Sequence, residues 1–212
     1  MKLTTTTNIT LDGVLQGLGA PDEDRRGGFE RGGWAAPLFD EETATALGQI
    51  YARADAFLFG RWTFEVFAGS WGAIKEIPPD NPIALALNTR PKYVVSNTLK
   101  DPKWAQTTVL SGDVAAAIGE LKARPGGELQ VHGGGTLIRW LLENNLVDEI
   151  NLLTYPLILG QGKRLFPESG RDVALALIQS RPTPSGVIVQ TYRPKGRPQY
   201  QKATIEATEV KK

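Results

Sequence analysis

The 212-residue chain has no cysteine, one histidine and one methionine. Without cysteine there is no disulfide framework, thiolate nucleophile, iron–sulfur cluster or Cys-ligated zinc. With His132 alone, no pair of imidazoles can hold a metal within one chain, and no metal site is expected. A Ser-His-Asp triad would have to use that single ring. No apolar run approaches the ~20 residues that a transmembrane helix needs. The start, Met1-Lys2-Leu3 and then four threonines, lacks the apolar stretch of a signal peptide. The expectation is a cytoplasmic protein with no membrane partner. Its chemistry must come from backbone amides, hydroxyls, carboxylates, guanidinium groups and a borrowed cofactor.

What is present reads as an ordinary globular composition, with 41% hydrophobic and 22% charged residues. The net charge of +1 hides an asymmetry. Residues 193–212 carry six basic and two acidic side chains, a balance of +4; residues 1–192 carry 18 basic and 21 acidic, a balance of −3. A basic tail suits nucleic acid, but Tyr200 is its only aromatic side chain. The expected division is therefore one domain over 1–192 and a solvated, flexible tail over 193–212, with no nucleic-acid partner.

Strand and helix patterns alternate along the domain. Leu3–Thr10 reads as a strand ended by Asp12-Gly13. A long glycine-rich loop over 16–37 follows, and loops of that length tend to be functional. Asp40-Glu41-Glu42 opens a helix to about Arg53, its acids placed where the helix dipole favours them. Strands are expected at 54–59, 92–96, 107–110, 129–132, 148–159 and 187–192. Helical segments are expected at 62–67, 83–88, 114–123 and 136–143. Alternation of this kind implies one α/β domain around a mostly parallel sheet with flanking helices. The Gly/Pro-rich connections near the end imply an antiparallel edge strand.

The sharpest local signal is Leu129-Gln130-Val131-His132-Gly133-Gly134-Gly135-Thr136-Leu137. A buried strand ends in three glycines and a helix starts at once. Glycines let a backbone approach a ligand closely, and free amides at a helix N-terminus attract phosphate. The plain alternative is a tight strand-to-helix turn. The pattern is neither a dinucleotide G-x-G-x-x-G nor a Walker A loop. A second junction, Gly60-Arg61-Trp62-Thr63, puts an Arg fork and a hydroxyl at another strand end. Ser96-Asn97-Thr98 and Leu110-Ser111-Gly112-Asp113 add small polar groups at the same edge. Ligands of open α/β sheets bind at that edge. Together the four junctions suggest a long, polyphosphate-bearing ligand such as a dinucleotide.

These residues resemble the dihydrofolate reductase superfamily, and more closely the RibD C-terminal-like reductases. The matching pieces are Ile9-Thr10-Leu11-Asp12-Gly13, Gly60-Arg61-Trp62-Thr63-Phe64-Glu65, Lys92-Tyr93-Val94-Val95-Ser96, Val131-His132-Gly133-Gly134-Gly135, and Leu153-Thr154-Tyr155-Pro156 through Gly160-Gln161-Gly162-Lys163-Arg164-Leu165-Phe166. The resemblance implies a dihydrofolate-reductase-like sheet that binds NADPH across its carboxyl edge. It places Arg61 and Thr63, with Gly60 and Trp62, by the adenosine phosphates. It places Ser96, Asn97 and Thr98 near the adenosine 2′-phosphate, with Ser111 and Gly112 at the same end. Gly133, Gly134, Gly135, Thr136 and Leu137 would cradle the pyrophosphate, with His132 at the margin. Leu11, Gly13, Val14 and Leu15 would lie beside the nicotinamide. An Arg by the 2′-phosphate implies NADPH rather than NADH.

For the substrate side, the resemblance makes Asp12, Asp40 and Thr154 the candidate catalytic residues. Each has a plainer reading as turn residue, helix cap and strand threonine respectively. His132 has a plainer reading as a hydrogen-bonded buried histidine. The loop over 16–37 departs from dihydrofolate reductases and resembles stand-alone bacterial relatives of RibD; its Arg25, Arg26 and Arg31 face either an anionic substrate or solvent. The zinc-binding deaminase half of bifunctional RibD is absent from this sequence. The implied reaction is hydride transfer from NADPH to a small heterocyclic or carbonyl substrate of the aminouracil-phosphate type. The alternatives are a dihydrofolate or pteridine reductase and a nucleotide-binding module without turnover. A homodimer is implied by the resemblance alone.

Overall fold

Residues 1–202 are described in the computed structural model. An eight-stranded sheet runs in the order β4-β3-β2-β5-β1-β6-β8-β7. Its strands are β1 (Lys2–Thr10), β2 (Ala54–Gly60), β3 (Lys92–Val95), β4 (Thr107–Leu110), β5 (Glu128–His132), β6 (Glu149–Tyr155), β7 (Leu175–Pro182) and β8 (Ile188–Pro194). The first six are parallel to their neighbours, and β8 and β7 add antiparallel pairs at one edge. The helices are α1 (Glu41–Ala52), α2 (Arg61–Ser70), α3 (Pro82–Thr89), α4 (Val114–Ala123) and α5 (Gly135–Glu143). The architecture is thus α/β with a mostly parallel sheet.

Parallel strands are covered on both faces, so their side chains must be apolar in both directions. Strand β2 shows this: Phe57 and Phe59 enter one core, Ala56 and Leu58 the other. Helices α1 and α3 close the first core with Leu47, Ile50 and Leu87. Helices α4 and α5 close the second with Ile118, Leu121, Ile138 and Leu141. Each large side chain so buried stabilises by about 1.5–3 kcal/mol. Central β1 is unusual in filling such a position with buried threonines. Their branched Cβ suits a strand, and hydroxyl partners are found for some, as in Thr4 to Glu128 Oε2 at 3.1 Å.

Three expectations shift. Strand β6 stops at Tyr155 rather than 159, because Pro156 has no N–H for the ladder. Strand β7 has no counterpart in the sequence reading, since Leu175, Leu177 and Ile178 are exposed and no buried alternation marks it. The division at 193 falls inside β8, which runs to Pro194. Beyond it, Arg197 pairs with Asp172 at 3.1 Å and Tyr200 donates to the same carboxylate at 3.1 Å. Residues 203–212, with Lys211 and Lys212, lie outside the described residues. No helix among the described residues is long and apolar enough to cross a membrane.

Candidate active site

The carboxyl ends of β1, β2 and β5 open into one cleft of about 950 Å³. Helices α2 and α5 point their N-termini at it. The first amides of any helix have no partner inside that helix. Asp40, Asn81 and Asp113 cap α1, α3 and α4 with their side chains, whereas Gly60 and Gly134 leave α2 and α5 without a side-chain cap. The two uncapped helices are both in the cleft wall.

The three glycines are there for separate reasons. Gly133 and Gly134 have φ of 59° and 69°, the left-handed region. A Cβ on Gly134 would lie 3.1 Å from Thr63 Oγ1, and one on Gly135 would lie 2.9 Å from Leu15 Cδ2. The chain there is folded tightly: Gly133 N donates to Thr6 O at 3.1 Å, and Gly133, Gly134, Gly135 and Thr136 line the cleft. Gly60, Arg61, Trp62 and Thr63 line the same space, as do Leu15, Gly112, Thr136 and Leu137. Arg61 donates through Nε to Glu65 at 2.7 Å and through Nη1 to Thr98 Oγ1. Its remaining N–H donors are available to a ligand.

Other expected residues stand outside the cleft lining. Ser96 uses its hydroxyl to accept from the amides of Thr98 and Leu99 at 3.2 and 3.0 Å. Thr98 reaches the site only through Arg61. Asn97 and Ser111 are exposed beside it. Leu11 is 67% exposed, Gly13 makes a turn at φ 81°, and Val14 is fully buried in the core. Of the segment Leu11–Leu15, only Leu15 meets the cleft.

His132 is a core residue. It stacks on Tyr51 with ring centroids 4.0 Å apart, and burial pushes its pKa down to about 3. Asp12 is a loop anchor. It accepts from Thr10 Oγ1 at 2.6 Å, Leu159 N at 3.1 Å and Gly160 N at 2.8 Å. Burial pushes its pKa up, but these bonds prevail and hold it at about 2. Asp40 caps α1 through Thr43 N at 2.7 Å and holds Ser185 N at 2.8 Å, which keeps its carboxyl far below the usual range. Thr154 donates to Gln190 on β8 at 3.0 Å. None of Asp12, Asp40 and Thr154 lines the cleft. In this structure each is engaged in local geometry.

The cleft also contains residues that the motifs did not mark. Thr7 and Asn8, near the end of β1, line it with Thr7 Oγ1 and Asn8 Oδ1 buried and unpartnered among the described residues. Gln16 is buried and organises the loop: it donates to the carbonyls of Asp24 and Arg26 at 3.1 and 2.8 Å and accepts from Lys163 N at 3.0 Å. Arg26 grips Asp24 through Nε at 2.7 Å and lies 3.6 Å from the centroid of the Trp62 ring. The loop is thereby pinned across the cleft onto α2. Arg26 is spent on those contacts, and Arg31 donates to Leu159 O. Glu23, Val66, Phe67 and Arg139 also line the cleft. Only a contact between segments distant in sequence identifies them.

The residues fit a dinucleotide. Two uncapped helix starts and a glycine cradle suit phosphates, and two orphaned polar atoms at β1 suit a polar ring substituent such as a carboxamide.

Comparison with known proteins identifies the family and the fold. The chain is 29% identical over 188 residues to the uncharacterized protein YyaP of Bacillus subtilis, covering 87% of this chain and 90% of that one. Its fold is similar to that of a putative riboflavin biosynthesis protein from Shewanella sp. PV-4, with TM-score 0.70, 22% identity, and 92% and 99% of the two chains covered. It is also similar to dihydrofolate reductase from Enterococcus faecalis, solved in complex with NADP(H), with TM-score 0.57, 14% identity, and 91% and 96% covered. The model of the RibD C-terminal domain matches residues 1–189, and the chain belongs to that family.

Proposed function

We propose that the chain is an NADPH-dependent reductase of a small heterocyclic or carbonyl substrate, of the aminouracil-phosphate type. The observation that carries this reading is the pair of uncapped helix starts, α2 and α5, opening with the glycine cradle into one cleft. Bound there, the cofactor would supply a hydride. The chain's own part is to bind, orient and exclude water. Gly133–Thr136 would hold the pyrophosphate. Arg61, braced by Glu65 and Thr98, would meet the adenosine 2′-phosphate. Leu15, Thr7 and Asn8 would flank the nicotinamide. Trp62, Val66 and Phe67 would offer the substrate ring an apolar wall.

A pteridine reductase is the second reading, and a binding module without turnover the third. The half-buried Glu23 in the cleft favours turnover over the latter.

Fluorescence titration of NADPH and NADH tests the reading. Wild type binds NADPH the more tightly, and Arg61→Ala weakens NADPH about tenfold or more while leaving NADH little changed. Equal affinity for the two cofactors in wild type removes the 2′-phosphate assignment. NADPH oxidation screened against pterins and aminouracil phosphates then selects the substrate. A homodimer, expected of this reading, is checked by light scattering.

A further inference from the structure

Reduction of a C=N or C=O bond needs a proton as well as a hydride. That proton comes from water or from an acidic group in the cleft. Its acidic side chains are Glu23, Asp24 and Asp113. Asp24 is committed to the Arg26 guanidinium and to the Arg26 amide, which hold its carboxyl below the usual range although burial opposes them. Asp113 caps α4 through Ala116 N at 3.0 Å, at the end of the cleft next to β4. Guanidinium groups do not release protons, and lysine ammonium groups as a class hold theirs far above neutrality. Glu23 remains.

Its position suits the task. Glu23 Oε2 accepts from Gly19 N at 2.9 Å, which ties the carboxyl to the start of the loop, next in the chain to residues 15–18. Residues 15–18 line the same cleft as Thr7 and Asn8 of β1. Asp24 and Arg26 flank Glu23 on its own loop. The other basic groups lining the cleft are Lys163, whose amide donates to Gln16 Oε1, with Arg61 on α2, Arg139 on α5 and Arg164. Burial pushes the Glu23 carboxyl above its ordinary range, the Asp24 charge pushes the same way, and the amides of Gly19, Leu18 and Ala20 only partly offset this.

We propose that Glu23 is the catalytic acid of this cleft, protonating the heteroatom of a C=N or C=O bond whose carbon receives the hydride. This rests on the reductase reading above. In the step the π bond opens, a C–H bond forms with the hydride from the reduced nicotinamide, and an N–H or O–H bond forms with the Glu23 proton. The substrate gains two electrons and the nicotinamide loses them. The pair of the broken carboxyl O–H bond stays on Glu23, and water reprotonates it. An upward shift favours the protonated carboxyl that this role requires.

The test uses the full chain as wild type, Glu23→Gln and Glu23→Asp. NADPH binding is followed by fluorescence, turnover with the pterin and aminouracil phosphate acceptors, and carboxyl titration by NMR on protein labelled at the glutamate δ-carbon. Glu23→Gln is expected to bind NADPH as wild type does. It should lose about 100-fold in kcat at pH 7 with KM unchanged, and regain activity as the pH is lowered. Glu23→Asp should recover part of the loss. One glutamate carboxyl should titrate above the rest in wild type and vanish in Glu23→Gln. Unchanged kcat and pH profile in Glu23→Gln overturn the proposal. So does a loss confined to NADPH affinity, or a Glu23 that titrates with the other glutamates. A wild type that binds no NADPH, or oxidises it with no acceptor, counts against the reductase reading instead, and the NMR titration still decides whether Glu23 can hold the proton.

Discussion

The ring of His132 and the side-chain amide of Gln130 are joined at 2.9 Å inside the core, two residues apart on one face of β5. Gln130 Nε2 is already donating to Ile50 O at 2.6 Å and Glu128 Oε2 at 2.7 Å. Gln130 Oε1 is therefore the acceptor, and His132 Nε2 carries the proton of a neutral imidazole.

That neutrality has a pH signature. An unfolded histidine takes up its proton near 6.5, and the folded one only near 3. Between these values the unfolded chain binds the extra proton. The contribution is fully present above pH 6.5 and is lost as pH falls toward 3, at up to ~1.4 kcal/mol per pH unit. Denaturant unfolding from pH 4 to 8 should show a shallower decline in His132→Gln than in wild type. Equal slopes would show that His132 is not held neutral. The same ring gives the chain's one imidazole NMR signal, which should not move above pH 5.

Gly134 joins fold to site. Gly134→Ala forces a side chain into φ 69° and within 3.1 Å of Thr63 Oγ1. We expect a loss of about 1–2 kcal/mol in stability and weaker NADPH binding. Gly119→Ala, inside α4 with open space around it, should instead stabilise by about 0.5–1 kcal/mol and leave NADPH affinity alone. Calorimetry with NADPH titration separates the two. Equal effects at both glycines would remove the cradle from the account.

Asp40→Ala separates the helix-capping role of Asp40 from a role on substrate. Removing the carboxylate frees Thr43 N and Ser185 N, so Tm should fall. NADPH affinity should stay as in wild type, and kcat, once an acceptor is known, should follow the folded fraction. A large drop in kcat with Tm unchanged would restore Asp40 to the substrate side.

The alternation of strands and helices was legible because both-face burial demands apolar runs such as Phe57-Leu58-Phe59, whatever lies opposite. The glycines after His132 were legible because positive φ restricts residue choice at one position. Strand β7 was not, because an exposed edge strand carries no burial pattern. Asp12, Asp40 and Thr154 were legible as polar groups but not as to what they touch.

Local constraints, which act within a few residues, are written into the chain itself: element type, helix starts and the phosphate-suited turn. Partnership is not local. Asp12 meets Gly160, Asp40 meets Ser185, and Gln16 meets Lys163, each pair more than 140 positions apart in the chain. The chain's lack of thiols and its single imidazole narrowed the chemistry from the start. Only folding could show that the imidazole is sealed in the core, that Asp12 and Asp40 bond distant backbone amides outside the cleft lining, and that Glu23 lines the cleft without an ion pair or helix to cap.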